Sequence, residues 1–261
     1  MPDYSAVIAA VEEAADLAYG QWRDGSAPAA KVWEKSKGDP VSEIDLAVDA
    51  LLKQRLGAIL TDAAWLSEET VDDPVRLGAT RVWLVDPIDG TRDYICGRSG
   101  WCVSVALVEN GAPIFAIMAA PAQAKTWIAQ AGKGVTCNGN RLYASTRKDF
   151  AGSRVPTDEL SQIDSDLTIV EKPNSIAMRM TMVACDRADL VATLRWGHEL
   201  DVAAAHRVAQ EAGAMVTNAL GQPIVYNKPE PKDFGLICSA PDTHNAAVDR
   251  LAGRAAIILA R

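Results

Sequence analysis

The chain is poor in histidine, has no closely spaced cysteines and contains no long apolar run, and each absence narrows what its 261 residues can be. Three scattered histidines (His198, His206, His244) exclude a histidine-rich transition-metal centre. Five cysteines (Cys96, Cys102, Cys137, Cys185, Cys238) are odd in number and form no C-x-x-C pair, which argues against a disulfide framework or a zinc site and predicts a reducing, cytoplasmic setting. None of them is followed by arginine six positions on, so cysteine-phosphatase chemistry is also excluded. Residues 1–5 lack a basic start and an apolar core, and no segment reaches membrane-spanning length; a soluble protein without a leader or membrane partner is predicted. Basic excess is missing too. With a net charge of −8, neither a nucleic acid polymer nor an anionic membrane is expected as a partner, because both require a basic face. An anionic small substrate would then need local help, which bound Mg²⁺ could supply.

What remains is an ordinary globular composition, 49% hydrophobic and 23% charged, long enough for a sizeable core. Helical spacing of apolar residues predicts helices over 5–20, 42–60, 175–184, 201–212 and 243–251. Strands are predicted at 63–67, 82–85, 167–170, 189–194, 214–217 and 236–239, with a short one near Val32 and Trp33. Asn110-Gly111 between two apolar runs signals a hairpin, and a meander continues to about Leu142. Texture turns polar and irregular over 145–166. This suggests two halves, 1–145 and 146–261, packed as one compact unit, the second an alternating α/β arrangement.

The stretch 82–91, Val-Trp-Leu-Val-Asp-Pro-Ile-Asp-Gly-Thr, carries the densest chemistry. An apolar strand would deliver Asp86 at its end, and Pro87 would turn the chain so that Asp89 faces the same point. Gly90 would allow close backbone approach, and Thr91 offers a hydroxyl and a free N–H suited to a phosphate oxyanion. Singly, Asp86 and Asp89 read as turn formers. With Glu68 at another strand end, they read as hard-oxygen ligands for Mg²⁺. Asp45 has a plain alternative as the partner in a Ser42-x-x-Asp45 capping box, and Asp201 as a helix cap.

Residues 65–69 (Trp-Leu-Ser-Glu-Glu), 83–91, 201–204 (Asp-Val-Ala-Ala) and Pro40-Val41-Ser42-x-x-Asp45 occur in the order of the inositol monophosphatase superfamily, which the chain resembles from Lys37 to about Gly213. The resemblance implies an α/β fold, a layered α-β-α-β-α sandwich with an antiparallel-rich first sheet and a mostly parallel second half. It implies that Glu68, Asp86, Asp89, the carbonyl of Ile88 and Asp201 hold two or three Mg²⁺ ions. Asp45, Thr91 and Glu68 would surround the attacking water, while N–H groups of Gly90 and Thr91 hold the phosphate. Lithium sensitivity and a small phosphorylated metabolite as substrate follow from the same likeness, for a monomer or homodimer.

Substrate choice departs from the inositol pattern. The family's acidic residue seven positions before the last metal aspartate is Leu194 here, beside Arg195. The usual Gly-Ser-Ser/Thr of the substrate loop is Asn174-Ser175-Ile176, and the usual tryptophan before Asp201 is Leu200. Gly90-Thr91-Arg92-Asp93-Tyr94 resembles the bacterial 3′(2′),5′-bisphosphate nucleotidases, whose second phosphate Arg179 and Arg195 could pair with. The expected substrate is 3′-phosphoadenosine 5′-phosphate. The alternatives are inositol 1-phosphate, then histidinol phosphate or fructose 1,6-bisphosphate. Arg92, Ser175 and His198 join the candidate substrate contacts, with a solvated or structural role as each one's alternative. Lys37 is a candidate neighbour of the attacking water. Asp164-Ser165-Asp166-Leu167-Thr168 formally fits the haloacid dehalogenase motif, but no buried strand precedes it. A regulatory metal- and phosphate-binding module is the non-enzyme alternative.

Overall fold

The computed structural model describes residues 3–36 and 38–260. Helix α1 (Tyr4–Gln21) starts at Asp3, whose carboxylate accepts the Ser5 N–H at 3.0 Å. Strands β1 (Val32–Ser36) and β2 (Asp39–Ser42) form an antiparallel pair leading into α2 (Glu43–Ile59). Next come β3 (Ala64–Ser67), β4 (Arg81–Asp89), the short helix α3 (Thr91–Ile95), and a meander of β5 (Cys102–Glu109), β6 (Ala112–Ala120), β7 (Lys125–Gln130), β8 (Gly134–Cys137) and β9 (Asn140–Arg141). These seven strands, β3 to β9, lie side by side in chain order; β3 and β4 are parallel and every later pair is antiparallel. Asn110 and Gly111 carry φ of 51° and 81°, the two positive values that a two-residue hairpin turn matching the sheet twist requires.

The second half contains β10 (Arg154–Pro156), β11 (Thr168–Val170), α4 (Ile176–Ala184), β12 (Leu190–His198), α5 (Glu199–Ala212), β13 (Met215–Thr217), β14 (Lys232–Ser239) and α6 (His244–Leu259). Here the mostly parallel expectation is corrected. Strands β10 and β11 are parallel, but β14 lies between β12 and β13 and runs antiparallel to both. A loop with no crossover helix joins β13 to β14, so the chain returns in the opposite direction. Strand β12 also outruns its predicted end at Leu194. Because β14 begins at Lys232, residues Trp196 to His198 find partners in Phe234 to Lys232, past an irregularity between Thr193 and Trp196.

Alternation along β4, β5 and β6 sends successive side chains into two cores. Trp83, Val85, Val105 and Ile117 face α1 and α2, whereas Leu84, Ala106, Ala116 and Met118 face α4 and α5. A strand buried on both faces must read as the continuous apolar run seen in the sequence. On the far side of α4 and α5 lies the β12-β14-β13 sheet, and α6 covers its outer face through Leu190, Ile237, Ala247 and Leu251. The result is the five-layer α-β-α-β-α stack. Among the described residues, no helix is long and apolar enough to cross a membrane.

Candidate active site

Strand β4 does not turn at Pro87. Asp86 pairs with Ser104 and Asp89 with Cys102, so three steps on β4 match two on β5, and Pro87-Ile88 form a bulge. Pro87 has no N–H to give the ladder, which makes the bulge the natural place for it. The bulge, rather than a turn, brings Asp86 and Asp89 to one cleft. At Gly90 the backbone is left-handed, with φ of 95°, and a Cβ there would lie 2.6 Å from the Gly100 carbonyl and 3.1 Å from the Ser175 nitrogen. Glycine is required for the packing of three chain segments, a closer constraint than ligand approach.

A cleft of about 590 Å³ gathers residues of both halves. Glu68, Asp86, Ile88, Asp89, Gly90, Thr91 and Asp201 line it, with Arg92, Lys172, Arg179 and Arg195 also on its walls. Each acid is held. Asp45 serves the capping box that the sequence suggested, its Oδ2 accepting the Ser42 N–H at 2.8 Å and hydroxyl at 2.5 Å, while Oδ1 accepts the Thr91 hydroxyl at 3.3 Å. Cap and candidate site residue are therefore the same group, set behind the cleft's lining. The Thr91 hydroxyl also lies 2.9 Å from the Ile88 carbonyl. Asp89 Oδ2 accepts the Ser175 hydroxyl at 2.6 Å and the Ala177 N–H at 2.8 Å, and Asp201 accepts the backbone N–H of His198 at the start of α5.

Burial and mutual repulsion dominate the electrostatics. Burial first, then Glu68, Asp89, Asp201 and Asp45, push the Asp86 carboxyl well above the carboxylate range. Asp201 is pushed up to about 8 by burial, then by Asp89 and Glu68. Burial also raises Asp45 and Asp89, against the hydrogen bonds each receives. Carboxylates crowded this way favour a cation, and the donor set, acids plus a backbone carbonyl and a hydroxyl, is the all-oxygen chemistry of Mg²⁺. Among the described residues, no three acidic, cysteine or histidine side chains already form a ready-made coordination shell.

Several residues that shape the site carried no motif signal. Lys35 reaches Glu68 at 2.8 Å and Glu69 at 2.9 Å; burial disfavours its charge, but these two acids outweigh that and raise its pKa. Asp49 accepts the hydroxyls of Ser67 and Thr70, at 2.6 Å for the latter, fixing the turn that presents Glu68. Asp93 Oδ2 accepts the Asn174 N–H at 2.9 Å, tying α3 to the loop before α4. A longer link runs through Arg76, which is fully buried. It meets Asp72 at 2.6 and 2.8 Å and Asn227 at 2.7 Å, and the Asn227 N–H bonds Glu199 at 2.6 Å, two residues before Asp201. Apart from the Arg76–Asp72 pair, four positions apart, only long-range pairings reveal them, and those lie outside any local pattern.

The expected substrate contacts separate into two groups. The Ser175 hydroxyl is buried and engaged with Asp89, so it positions an acid instead of facing the cleft. Arg179 holds the carbonyls of Pro173 and Asn174 at 2.9 and 2.5 Å, and Arg92 holds that of Gly38. Arg195 is exposed on β12, and among the described residues no hydrogen bond or ion pair ties it down. His198 ends β12 instead of lying in a loop, and its side chain is exposed. Lys37 lies outside the described residues. Asp164 ends a 3-10 turn and is paired to Arg254 at 2.6 Å, as a structural aspartate would be.

The sequence matches the profile of the inositol monophosphatase family over residues 3–253. It is 31% identical over 205 residues to Nus factor SuhB of Xylella fastidiosa, covering 73% of each chain. It is 33% identical over 216 residues to a 3′-phosphoadenosine 5′-phosphate phosphatase of Mycobacterium leprae, covering 75% of this chain and 76% of that one. Among solved structures, an IMPase of Thermotoga maritima has the same fold, with a TM-score of 0.80 at 24% identity and 96% coverage of both chains.

Proposed function

The chain belongs to the inositol monophosphatase family, a family of metal-dependent phosphatases, and from that premise we propose that it hydrolyses a small metabolite carrying two phosphates, with 3′-phosphoadenosine 5′-phosphate favoured. One observation carries the choice. The cleft is lined by the acids Glu68, Asp86, Asp89 and Asp201 and by the cations Arg179, Lys172, which pairs with Asp158, and Arg195, which has no hydrogen bond or ion pair among the described residues, with Leu194 where an inositol-type site would place an acid. Once cations neutralise the acidic wall, Arg195 and its neighbours suit a second anionic group better than sugar hydroxyls.

Glu68, Asp86, Asp89, Asp201 and the Ile88 carbonyl would hold the Mg²⁺ ions. When bound, these would neutralise the carboxylates, acidify the attacking water and stabilise the departing alkoxide. Thr91 positions that water through its hydroxyl, which is itself fixed between the Ile88 carbonyl and Asp45. Asp45, with its proton affinity raised by burial, takes the proton from the water through or beside that hydroxyl. Glu68, pinned by Lys35, completes the water's surroundings. Backbone N–H groups of Gly90 and Thr91 hold the phosphate oxygens as charge builds on them.

The test is a panel of 3′-phosphoadenosine 5′-phosphate, inositol 1-phosphate, fructose 1,6-bisphosphate and histidinol phosphate with Mg²⁺, ranked by kcat/KM. The nucleotide should lead. A lead for inositol 1-phosphate overturns the substrate choice, and no turnover on any ester favours a regulatory binding module over an enzyme.

A further inference from the structure

Beside Asp89, four short segments meet: the turn at Gly90, helix α3, the chain at Gly100 and residues 173–177 that open α4. Asp93 joins them. Its backbone N–H donates to the Gly90 carbonyl at 2.8 Å, and its buried carboxylate divides its two oxygens. Oδ2 accepts the Asn174 N–H at 2.9 Å, and Oδ1 pairs with Arg98 at 2.7 Å. The next residue, Ser175, gives its N–H to the Gly100 carbonyl at 3.0 Å and its hydroxyl to Asp89 Oδ2 at 2.6 Å, where the Ala177 N–H joins it at 2.8 Å. Both of these bonds fall on Oδ2, which leaves Asp89 Oδ1 for a cation. Gly100 makes room for the arrangement: a Cβ there would collide with Asp93 Oδ2 and lie 3.1 Å from the Asn174 nitrogen.

We infer that Asp93 is a positioning residue for the metal end of the cleft: by holding Asn174 it sets the Ser175 hydroxyl and the Ala177 N–H against one oxygen of Asp89, so that the other is presented to Mg²⁺. This rests on the metal-dependent reading of the site. Asp93 does not line the cleft, so its influence passes through the 174–177 segment. Its two contacts differ in weight. Arg98 is largely exposed, and solvent screens that ion pair, whereas the Asn174 bond is half-buried. A carboxylate ligand keeps one oxygen turned toward an ion only while its own hydrogen bonds hold it, and losing such support weakens metal binding by about 10- to 100-fold. Asp93 stands one step further back, at the support of the support, which places its effect at the lower end of that range.

The test reads Mg²⁺ binding directly, by titration calorimetry without substrate, and then phosphate release against Mg²⁺ concentration. Asp93→Ala should raise the Mg²⁺ dissociation constant and the Mg²⁺ concentration for half-maximal release about tenfold, equally on 3′-phosphoadenosine 5′-phosphate and on glycerol 2-phosphate, with KM for either ester unchanged at saturating Mg²⁺. Asp93→Asn keeps an oxygen for the Asn174 N–H and should recover most of the affinity. Arg98→Gln breaks only the screened ion pair and should bind Mg²⁺ as the wild type does. Gly100→Ala displaces the Asp93 carboxylate without removing a donor or acceptor, should act like Asp93→Ala, and serves if Asp93→Ala fails to fold. In a Ser175→Ala background, Asp93→Ala should add less than it does alone, because both act on Asp89 through one segment. Unchanged Mg²⁺ binding in Asp93→Ala, no recovery in Asp93→Asn, an equal loss in Arg98→Gln, or full additivity with Ser175→Ala overturns the role of Asp93 alone. A wild-type chain that binds no Mg²⁺ overturns the metal reading and this role with it.

Discussion

The two walls of the cleft are built to opposite specifications. On the acidic wall each carboxylate already has an oxygen or two committed: Asp45 to Ser42, Asp89 to Ser175 and Ala177, Glu68 to Lys35. On the cationic wall, among the described residues, Arg195 is exposed and untied, Arg92 and Arg179 hold only backbone carbonyls, and Lys172 pairs with Asp158. A wall held by second contacts keeps its geometry whatever enters, which suits a reaction step common to many esters. A wall of side chains drawn from α3, α4 and β12, with Arg92 and Arg195 exposed, can change its chemistry with less disturbance to the core, which suits discrimination.

The largest effect should come from breaking the acidic wall. Asp89→Asn keeps an oxygen to accept from Ser175 and Ala177 but removes a charge, so the fold should survive while turnover falls about a thousandfold. Phosphate release at saturating Mg²⁺, checked against circular dichroism, measures this. Near-normal turnover would remove Asp89 from the metal set.

Next in size is the brace behind that wall. Arg76→Met releases Asp72 to solvent and weakens the Asn227–Glu199 contact that sets the start of α5. Asp72 is solvent-exposed, so the cost is that of the lost Arg76 hydrogen bonds to Asn227 and Lys228, roughly 1–2 kcal/mol read from urea unfolding, and the Mg²⁺ concentration for half-maximal activity should rise because Asp201 is no longer held in place. A stability loss with no change in Mg²⁺ demand would make Arg76 purely structural.

Arg195→Gln tests the cationic wall, and its effect should be smaller and selective. Losing one charge-assisted hydrogen bond, worth about 1.5 kcal/mol, should lower kcat/KM about tenfold on the bisphosphate nucleotide and leave glycerol 2-phosphate untouched. Equal losses on both would place Arg195 in the common chemistry.

The same contrast governs what was legible in the sequence. The acidic wall is written in local patterns: an apolar strand before Asp86, a capping box at Asp45, a helix start at Asp201. Those patterns depend on residues a few positions apart, so they survive reading without a structure. The bulge at Pro87-Ile88 looks like a turn in the sequence because a register shift belongs to the pairing with β5 and not to β4 alone. Strand β12 was cut short at Leu194 for the same reason, its last pairs being set by β14. Lys35, Asp49, Asp93 and Arg76 act on partners that their own neighbourhoods do not announce; Arg76 and Asn227 are 151 positions apart. Ser175 reads as a substrate contact in the sequence because nothing local shows that its hydroxyl faces Asp89, 86 positions away.

A pH dependence of the metal-free protein also separates the acidic wall from the rest of the chain. Asp201 titrates near 8 in the fold because of burial and then Asp89 and Glu68, and Asp86 is raised for similar causes. Unfolded aspartates titrate near about 3.9. Between about 3.9 and about 8 the folded chain retains protons that the unfolded chain has released, so stability falls as pH rises through that window. Asp189 has the opposite sign: burial would raise it, but Arg154 and Ser145 outweigh burial and hold it near about 2, so it adds stability above about 3.9 that is lost as pH falls toward about 2. Asp189 is therefore fully ionised in both states above pH 5 and cannot contribute to a trend there. Thermal unfolding without metal should show a Tm that drops from pH 5 to pH 8. Saturating Mg²⁺, which binds the ionised acids, should flatten or reverse that drop. If the drop persisted unchanged with Mg²⁺, the raised carboxyls would not be the groups that hold the ion, and the acidic wall would have to be assigned a different role.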